Sequence, residues 1–190
     1  MRLRGRLRRV TLRWSKEVLG QLTSHWQGRL RPRLEGLGDS EYHWEPVAGC
    51  WGLRPRGDGS WGLESAADLP TPPPVTTIAW RIGHIIALMG ARSAVHFGAP
   101  AIDARTHAYA ARAEEGLAQL DVAYATWTAG VAALSASDLA APVGPSEGAW
   151  AAHPMAGLVL HVNREVVHHG AEICLLRDLW AHQGGAPSPR

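Results

Sequence analysis

Residues 155–181 read MAGLVLHVNREVVHHGAEICLLRDLWA, and this stretch decides the predicted fold. Its apolar residues recur every three or four positions, which is the spacing of a helix that turns one face toward a protein core. We therefore predict a helix from about residue 155 to residue 180 or 181. The inward stripe of this helix consists of Leu158, Val162, Glu165, His169, Ile173 or Glu172, Leu176 and Trp180.

Two members of this stripe, Glu165 and His169, are titratable where an aliphatic side chain is expected. They are four residues apart, so a helix places both side chains on one face, roughly 6 Å apart. A carboxylate inside a helical core is costly unless it is paired or binds a cation. Glu165 and His169 are therefore candidate ligands of a divalent metal ion.

His84 is the third candidate ligand. It lies in the almost wholly apolar segment 82–89, which the pattern assigns to another core helix. One histidine from a second helix would complete a set of three protein ligands. Three ligands leave coordination positions open for water or a substrate, as catalytic metal sites do.

The same residues allow other interpretations. Glu165 could instead pair with an arginine such as Arg81, and His169 would then be a hydrogen-bonded core histidine. His161 shares the helix face of Glu165 and His169 across two turns. It therefore either replaces His84 as a ligand or orients Glu165 from outside the ligand set.

Two further polar residues lie close to this constellation in the sequence. Asn163 is, beside His161, a second candidate for supporting the site. The side chain of His168 points about 100° away from that of His169 on a helix. We expect His168 at the rim of the fold or against another helix.

Three other helical patterns precede this helix, at about residues 10–37, 76–89 and 104–134. Two long connections rich in Gly and Pro, 38–74 and 135–154, separate the patterns. Four helices without a convincing strand pattern predict an all-α fold, a four-helix bundle. The first connection carries three tryptophans, so we expect it to pack over the bundle with a partly irregular course.

Charge and composition bound the domain organisation and the partners. Residues 1–13 hold six arginines and no acid, so the net charge of +2 leaves −4 for the remainder. We predict a basic flexible tail at 1–13, the bundle at 14–182 and a disordered end at 183–190. The acidic body does not favour nucleic-acid binding. No apolar run reaches the roughly eighteen residues of a membrane span. The two cysteines lack the spacing of a zinc site, and such isolated cysteines fit the reducing cytoplasm.

Three segments together strongly resemble the DinB-like superfamily. They are TTIAWRIGHI at 76–85, HVNREVVHHGAEI at 161–173 and LRDL at 176–179. The closest resemblance is to the branch that includes mycothiol-dependent maleylpyruvate isomerase. The segment EYHWEP at 41–46 and the pair Cys50-Trp51 resemble the first connection of that branch. The resemblance spans roughly residues 14–182.

The resemblance implies a four-helix bundle whose helix order differs from simple up-and-down. It implies a divalent metal, zinc or nickel, held by His84, Glu165 and His169. It also implies a low-molecular-weight thiol such as mycothiol as cofactor, and a homodimer. Trp80, which is one turn before His84, is expected to line the cofactor pocket.

Three functions follow as expectations. The first is a metal-dependent enzyme that adds or transfers a low-molecular-weight thiol to a small electrophile. The second is a metal-dependent hydrolase with a neighbouring histidine as base. The third is a non-catalytic, stress-related bundle that binds a metal or another ligand. A pocket that reaches the metal favours the enzymes, and a closed site favours the third.

Overall fold

The computed structural model describes residues 12–68 and 70–184. The chain is mostly helical, with 60% helix, seven α-helices and one two-stranded sheet over these residues. The helices are α1 (Trp14–His25), α2 (Arg31–Arg33), α3 (Asp39–Tyr42), α4 (Ile78–Phe97), α5 (Ala113–Ala133), α6 (Ala136–Ala140) and α7 (Met155–His182). The strands are β1 (Leu53–Pro55) and β2 (Trp61–Leu63).

The predicted first helix is interrupted by one π-helical turn, Trp26–Leu30, between α1 and α2. The backbone N–H of Arg31 donates to the carbonyl of Trp26, five residues earlier. Pro32 follows directly and has no N–H to donate, so the wider turn lets the chain continue past it. Residues 10 and 11 of this prediction lie outside the described residues.

The helices that carry the candidate ligands form where the sequence predicts them. Thr77 caps α4, because its hydroxyl accepts a hydrogen bond from the Trp80 N–H at 3.2 Å. The helix extends beyond residue 89 and ends at Gly98, which adopts a left-handed φ of 69°. α7 runs without a break across the whole predicted stretch.

The third predicted helix begins later than expected, at Ala113 rather than near residue 104. The preceding segment is held by the hairpin of β1 and β2, which the sequence analysis did not predict. The Tyr109 N–H donates to the Trp61 carbonyl at 3.0 Å, and the Arg56 guanidinium donates to the carbonyl of His107 at 2.9 Å. These partners replace the hydrogen bonds that a helix would make.

The long helices pack pairwise, with α4 against α5 and α7, and α1 against α5 and α7. Their facing apolar side chains form one continuous core. The largest side chains buried in it are Trp127, Tyr42, Leu22, Leu30, Leu34, Leu53, Ile78, Ile82, Ile85, Ile86, Met89 and Leu120. The structure confirms the mostly helical fold, whereas the four-helix bundle stays a prediction.

Within the described part of the chain, every helix is too short or too polar to cross a lipid bilayer. The predicted basic tail lies outside this part except for residues 12 and 13. The predicted disordered end lies outside it except for residues 183 and 184.

Arg177 of α7 ties that helix to the segment after α2. Its guanidinium donates to both carboxylate oxygens of Glu41, at 2.8 and 3.1 Å. It also donates to the carbonyls of Arg33 and Glu35. Because Glu41 is only 6% exposed, this bidentate pair satisfies a carboxylate that would otherwise be buried alone.

We expect Arg177→Leu to lower the free energy of unfolding by about 3 kcal/mol, because it leaves the Glu41 carboxylate buried without its cation. Urea denaturation followed by circular dichroism measures the change. The matched control is Arg112→Leu, which breaks an exposed pair with Asp39 at 3.7 Å and should cost about 0.5 kcal/mol or less. Equal losses in the two variants would contradict this account of Arg177.

Candidate metal centre

The packing of α4 against α7 brings the three candidate ligands together. His84 comes from α4, and Glu165 and His169 come from successive turns of α7. Their potential ligand atoms all lie within 4.8 Å of one another. All three residues are half-buried, so the site lies at the side of the core and remains open to solvent.

The ring of His169 is oriented by Glu172. The His169 Nδ1 lies 2.7 Å from Glu172 Oε2, and an ionised carboxylate only accepts hydrogen bonds. The Nδ1 therefore carries the proton, and the lone pair of the imidazole is on Nε2. This Nε2 lies 3.7 Å from Glu165 Oε2, on the side of the other candidate ligands.

Arg81 completes this arrangement from α4. Its guanidinium forms an ion pair with Glu172 and lies 3.3 Å from His169 Nδ1. Arg81 thereby neutralises the carboxylate that orients the imidazole. Hydrogen-bonded carboxylates behind a metal-binding histidine fix its tautomer and ring orientation in this way.

Two histidine nitrogens and one carboxylate oxygen are suitable ligands for a divalent cation. Two ligands about 2.1 Å from one tetrahedral ion lie roughly 3.4 Å apart. The 3.7 Å between His169 Nε2 and Glu165 Oε2 is close to this separation. The chemistry of the three residues therefore fits a divalent metal ion, and the separation of the His169–Glu165 pair is close to that of two ligands of one ion.

Burial keeps both imidazoles neutral. Desolvation, with a further contribution from His84, lowers the pKa of His169 to about 4. Desolvation also lowers the pKa of His84, although the Glu165 carboxylate opposes this effect. Because a histidine binds metal in its neutral form, no proton has to be displaced from either ring at neutral pH.

Trp80 fixes the ring of His84. The two rings are stacked, with centroids 5.2 Å apart and planes 5° from parallel. The indole N–H of Trp80 donates to the Glu64 carbonyl at 2.8 Å, which ties the stack to the segment after β2. The predicted contact of Trp80 with a cofactor stays a prediction.

The other candidates take different positions. His161 lies beside the trio, with its Nδ1 3.8 Å from Glu165 Oε1 and 2.7 Å from Arg164 Nη2. Asn163 is buried on another face of α7 and donates to the Val18 carbonyl of α1 at 2.7 Å. The structure thus brings His161 to the site and turns Asn163 away from it.

The alternative pairing of Glu165 with Arg81 is not observed, because Arg81 pairs with Glu172. The cation nearest to Glu165 is the exposed Arg164, at 3.4 Å. His168 is exposed at the rim, and it forms a second group with His169 and Glu172 whose ligand atoms also lie within 4.8 Å.

Sequence analysis overlooked the Arg81–Glu172 pair as the support of His169. The signal was present, since Glu172 is three residues after His169 and Arg81 three residues before His84. The stripe of α7 named Glu172 only as an alternative to Ile173, so its spacing to His169 was not considered. The meeting of Arg81 and Glu172 itself depends on the packing of two distant segments.

A cavity of about 340 Å³ is lined by His161, the neighbour of the trio. It is formed by α4, by the connection before α7 and by the first turns of α7. Its lining residues are Arg92, Val143, Glu147, Trp150, His153, Gly157, Leu158, His161 and Arg164. His161, whose Nδ1 lies 3.8 Å from Glu165 Oε1, connects the cavity to the candidate ligands, and none of the three ligands lines it.

We expect Glu172→Gln to weaken metal binding at least about tenfold, because the neutral amide holds the His169 Nδ1–H less well and leaves Arg81 without its partner. Competition with a chromophoric chelator measures the affinity. Asp178→Asn is the matched control, since it removes an exposed carboxylate on the same helix that pairs with Arg33. Unchanged affinity in Glu172→Gln would show that this carboxylate does not support the site.

Comparison with known protein families adds independent evidence. The family model of the DinB superfamily matches residues 21–173, a stretch that contains His84, Glu165 and His169. Searches of the curated proteins and of the solved structures return no match. Proteins of this superfamily commonly bind a divalent metal. The matched stretch covers most of the chain, and the protein belongs to the DinB superfamily.

Proposed function

We propose that the protein is a metal-dependent enzyme that adds or transfers a low-molecular-weight thiol to a small electrophile. The observation that carries this proposal is the convergence of His84, Glu165 and His169 next to His161, which lines a cavity. Three protein ligands leave room for a further ligand on the ion. Zinc or nickel is the proposed metal, because imidazole and carboxylate ligands suit both.

A bound divalent cation lowers the pKa of a ligating thiol, so the nucleophilic thiolate is available at neutral pH. The protein supplies the orientation. Glu172 and Arg81 hold the His169 ring with its Nε2 lone pair toward Glu165, and Trp80 holds the ring of His84. A site whose ligands are already oriented loses less conformational entropy when it is filled.

The cavity that His161 lines is the proposed binding place of the electrophile. Arg164 donates to His161 Nδ1 at 2.7 Å, so the proton of this imidazole is on Nε2. His161 can therefore donate a hydrogen bond to an atom that becomes negative during the addition. Arg92 of α4 also lines the cavity, with its guanidinium 3.1 Å from the Glu147 carboxylate, which lines it too.

Two other functions remain alternatives. A hydrolase would use the same cation with water, and a neighbouring histidine as the base. A non-catalytic bundle that binds only a metal would not need the cavity that His161 lines, so this cavity supports the enzymatic proposal, whereas a ligand-binding bundle would also use it. Mycothiol as the thiol and a homodimer also belong to the proposal and rest on the family resemblance. The proposed four-helix bundle rests on the helical patterns as well, and the proposed cytoplasmic location rests on the two cysteines.

The metal content tests the ligand set. We expect about one zinc or nickel ion per chain in the purified protein, measured by plasma mass spectrometry against protein concentration. Glu165→Ala should lose the ion, because it removes a ligand of the trio. His168→Ala should retain it, since His168 is an exposed member of the other group only.

The opposite pattern would assign the metal to His168, His169 and Glu172. A wild-type protein that stays free of metal after incubation with zinc and nickel salts would overturn the enzymatic proposal. It would leave the three residues as a polar cluster in a binding protein.

Gly157→Leu tests the cavity. Gly157 lines it, and a Cβ at this position meets no atom within 4 Å, so a leucine side chain starts from open space at the cavity wall. We expect at least about a tenfold loss of kcat/KM for thiol consumption with a panel of small electrophiles, at unchanged metal content. Gly157→Ala, which adds one methyl group, should stay near the wild type.

Turnover without added thiol would identify a hydrolase instead. Equal rates in Gly157→Leu and the wild type would place the electrophile elsewhere.

A further inference from the structure

A second cavity, of about 370 Å³, lies on the other side of α4. It is bounded by α4, by α5 and by the segment 99–107 that connects them. Ser93 lines it and is nine residues after His84, which corresponds to half a turn beyond two full turns. The helix α4 therefore separates this cavity from the candidate metal centre.

The walls of the second cavity are largely apolar, and none of the described residues that line it carries a full charge at neutral pH. The apolar and small lining residues are Ile86, Gly90, Ala99, Pro100, Ile102, Ala118, Val122 and Ala123. Transfer of an ion into such surroundings is costly because nothing replaces its hydration. A ligand of this cavity is therefore uncharged and mainly apolar.

Two polar groups of the cavity lack partners. The Ser93 side chain is fully buried, and its hydroxyl has no hydrogen-bond partner among the described residues. The Nε2 of His107 is likewise buried without a partner among those residues. A buried polar atom without a partner costs free energy, and most such atoms in folded proteins are satisfied.

We propose that this cavity is a binding site for a small, uncharged, mainly apolar molecule that carries one hydroxyl group, such as a phenol. The hydroxyl group of the ligand bonds the Ser93 hydroxyl, and its apolar body contacts α4 and α5. The site is independent of the metal centre and of the proposed thiol chemistry. Its size matches the lower range of small-molecule pockets.

The test compares two probes of nearly equal shape, p-cresol and p-xylene, which differ by a hydroxyl in place of a methyl group. Saturation-transfer NMR detects binding, and titration gives the dissociation constants. We expect the wild type to bind p-cresol about fivefold more tightly than p-xylene. Ser93→Ala should remove this preference, leave p-xylene binding unchanged and keep the melting temperature or raise it.

Two variants of α5 locate the probes. Ala118→Leu places a larger side chain at the exposed edge of the cavity and should weaken both probes at least about tenfold. Ala125→Leu makes the same change at an exposed position outside the cavity and should have no effect. Absence of binding would overturn the proposal. Binding that Ala118→Leu leaves unchanged would also overturn it, because the probes would then bind elsewhere as adventitious additives only.

The melting temperature gives a separate control on Ser93. A marked fall in Ser93→Ala would show that the hydroxyl stabilises the protein itself, and would also overturn its role toward a ligand.

Discussion

The ion pair between Arg81 of α4 and Glu172 of α7 links the two helices. The same Glu172 carboxylate accepts a hydrogen bond from His169 of its own helix. Burial lowers the pKa of Arg81 to about 10, so its guanidinium is still charged at neutral pH and needs an anion close by. Glu172 supplies that anion. The same contact turns the His169 lone pair toward Glu165, so one ion pair serves both helix packing and the candidate metal centre.

The candidate metal centre places titratable side chains at core-facing positions of α4 and α7. Leucine or isoleucine at positions 165 and 169 would pack against α4 without a desolvation cost. The protein instead places a carboxylate and an imidazole there, opposite the His84 imidazole of α4, and other side chains hold these groups in place. Trp80 stacks on His84, and His161 lies against Glu165. This density of supporting contacts is what preorganised sites require.

Helix α4 separates two different environments. On one side it carries Arg81 and His84, and on the other it carries Ser93 in an almost wholly apolar cavity. Half a turn of helix divides the two sets of side chains. A charged centre and an apolar pocket can therefore lie close together, because the backbone and the apolar residues of α4 lie between them.

The sequence by itself determined the long helices and the residues of the candidate site. Helical periodicity and the four-residue spacing of Glu165 and His169 are local properties, so they can be read without a structure. Only the tertiary structure decided that α5 starts at Ala113, that residues 53–63 form a hairpin, and that Arg81 meets Glu172. The hairpin strands, of three residues each, are too short to show an alternating pattern, and ion pairs between helices depend on how distant segments pack.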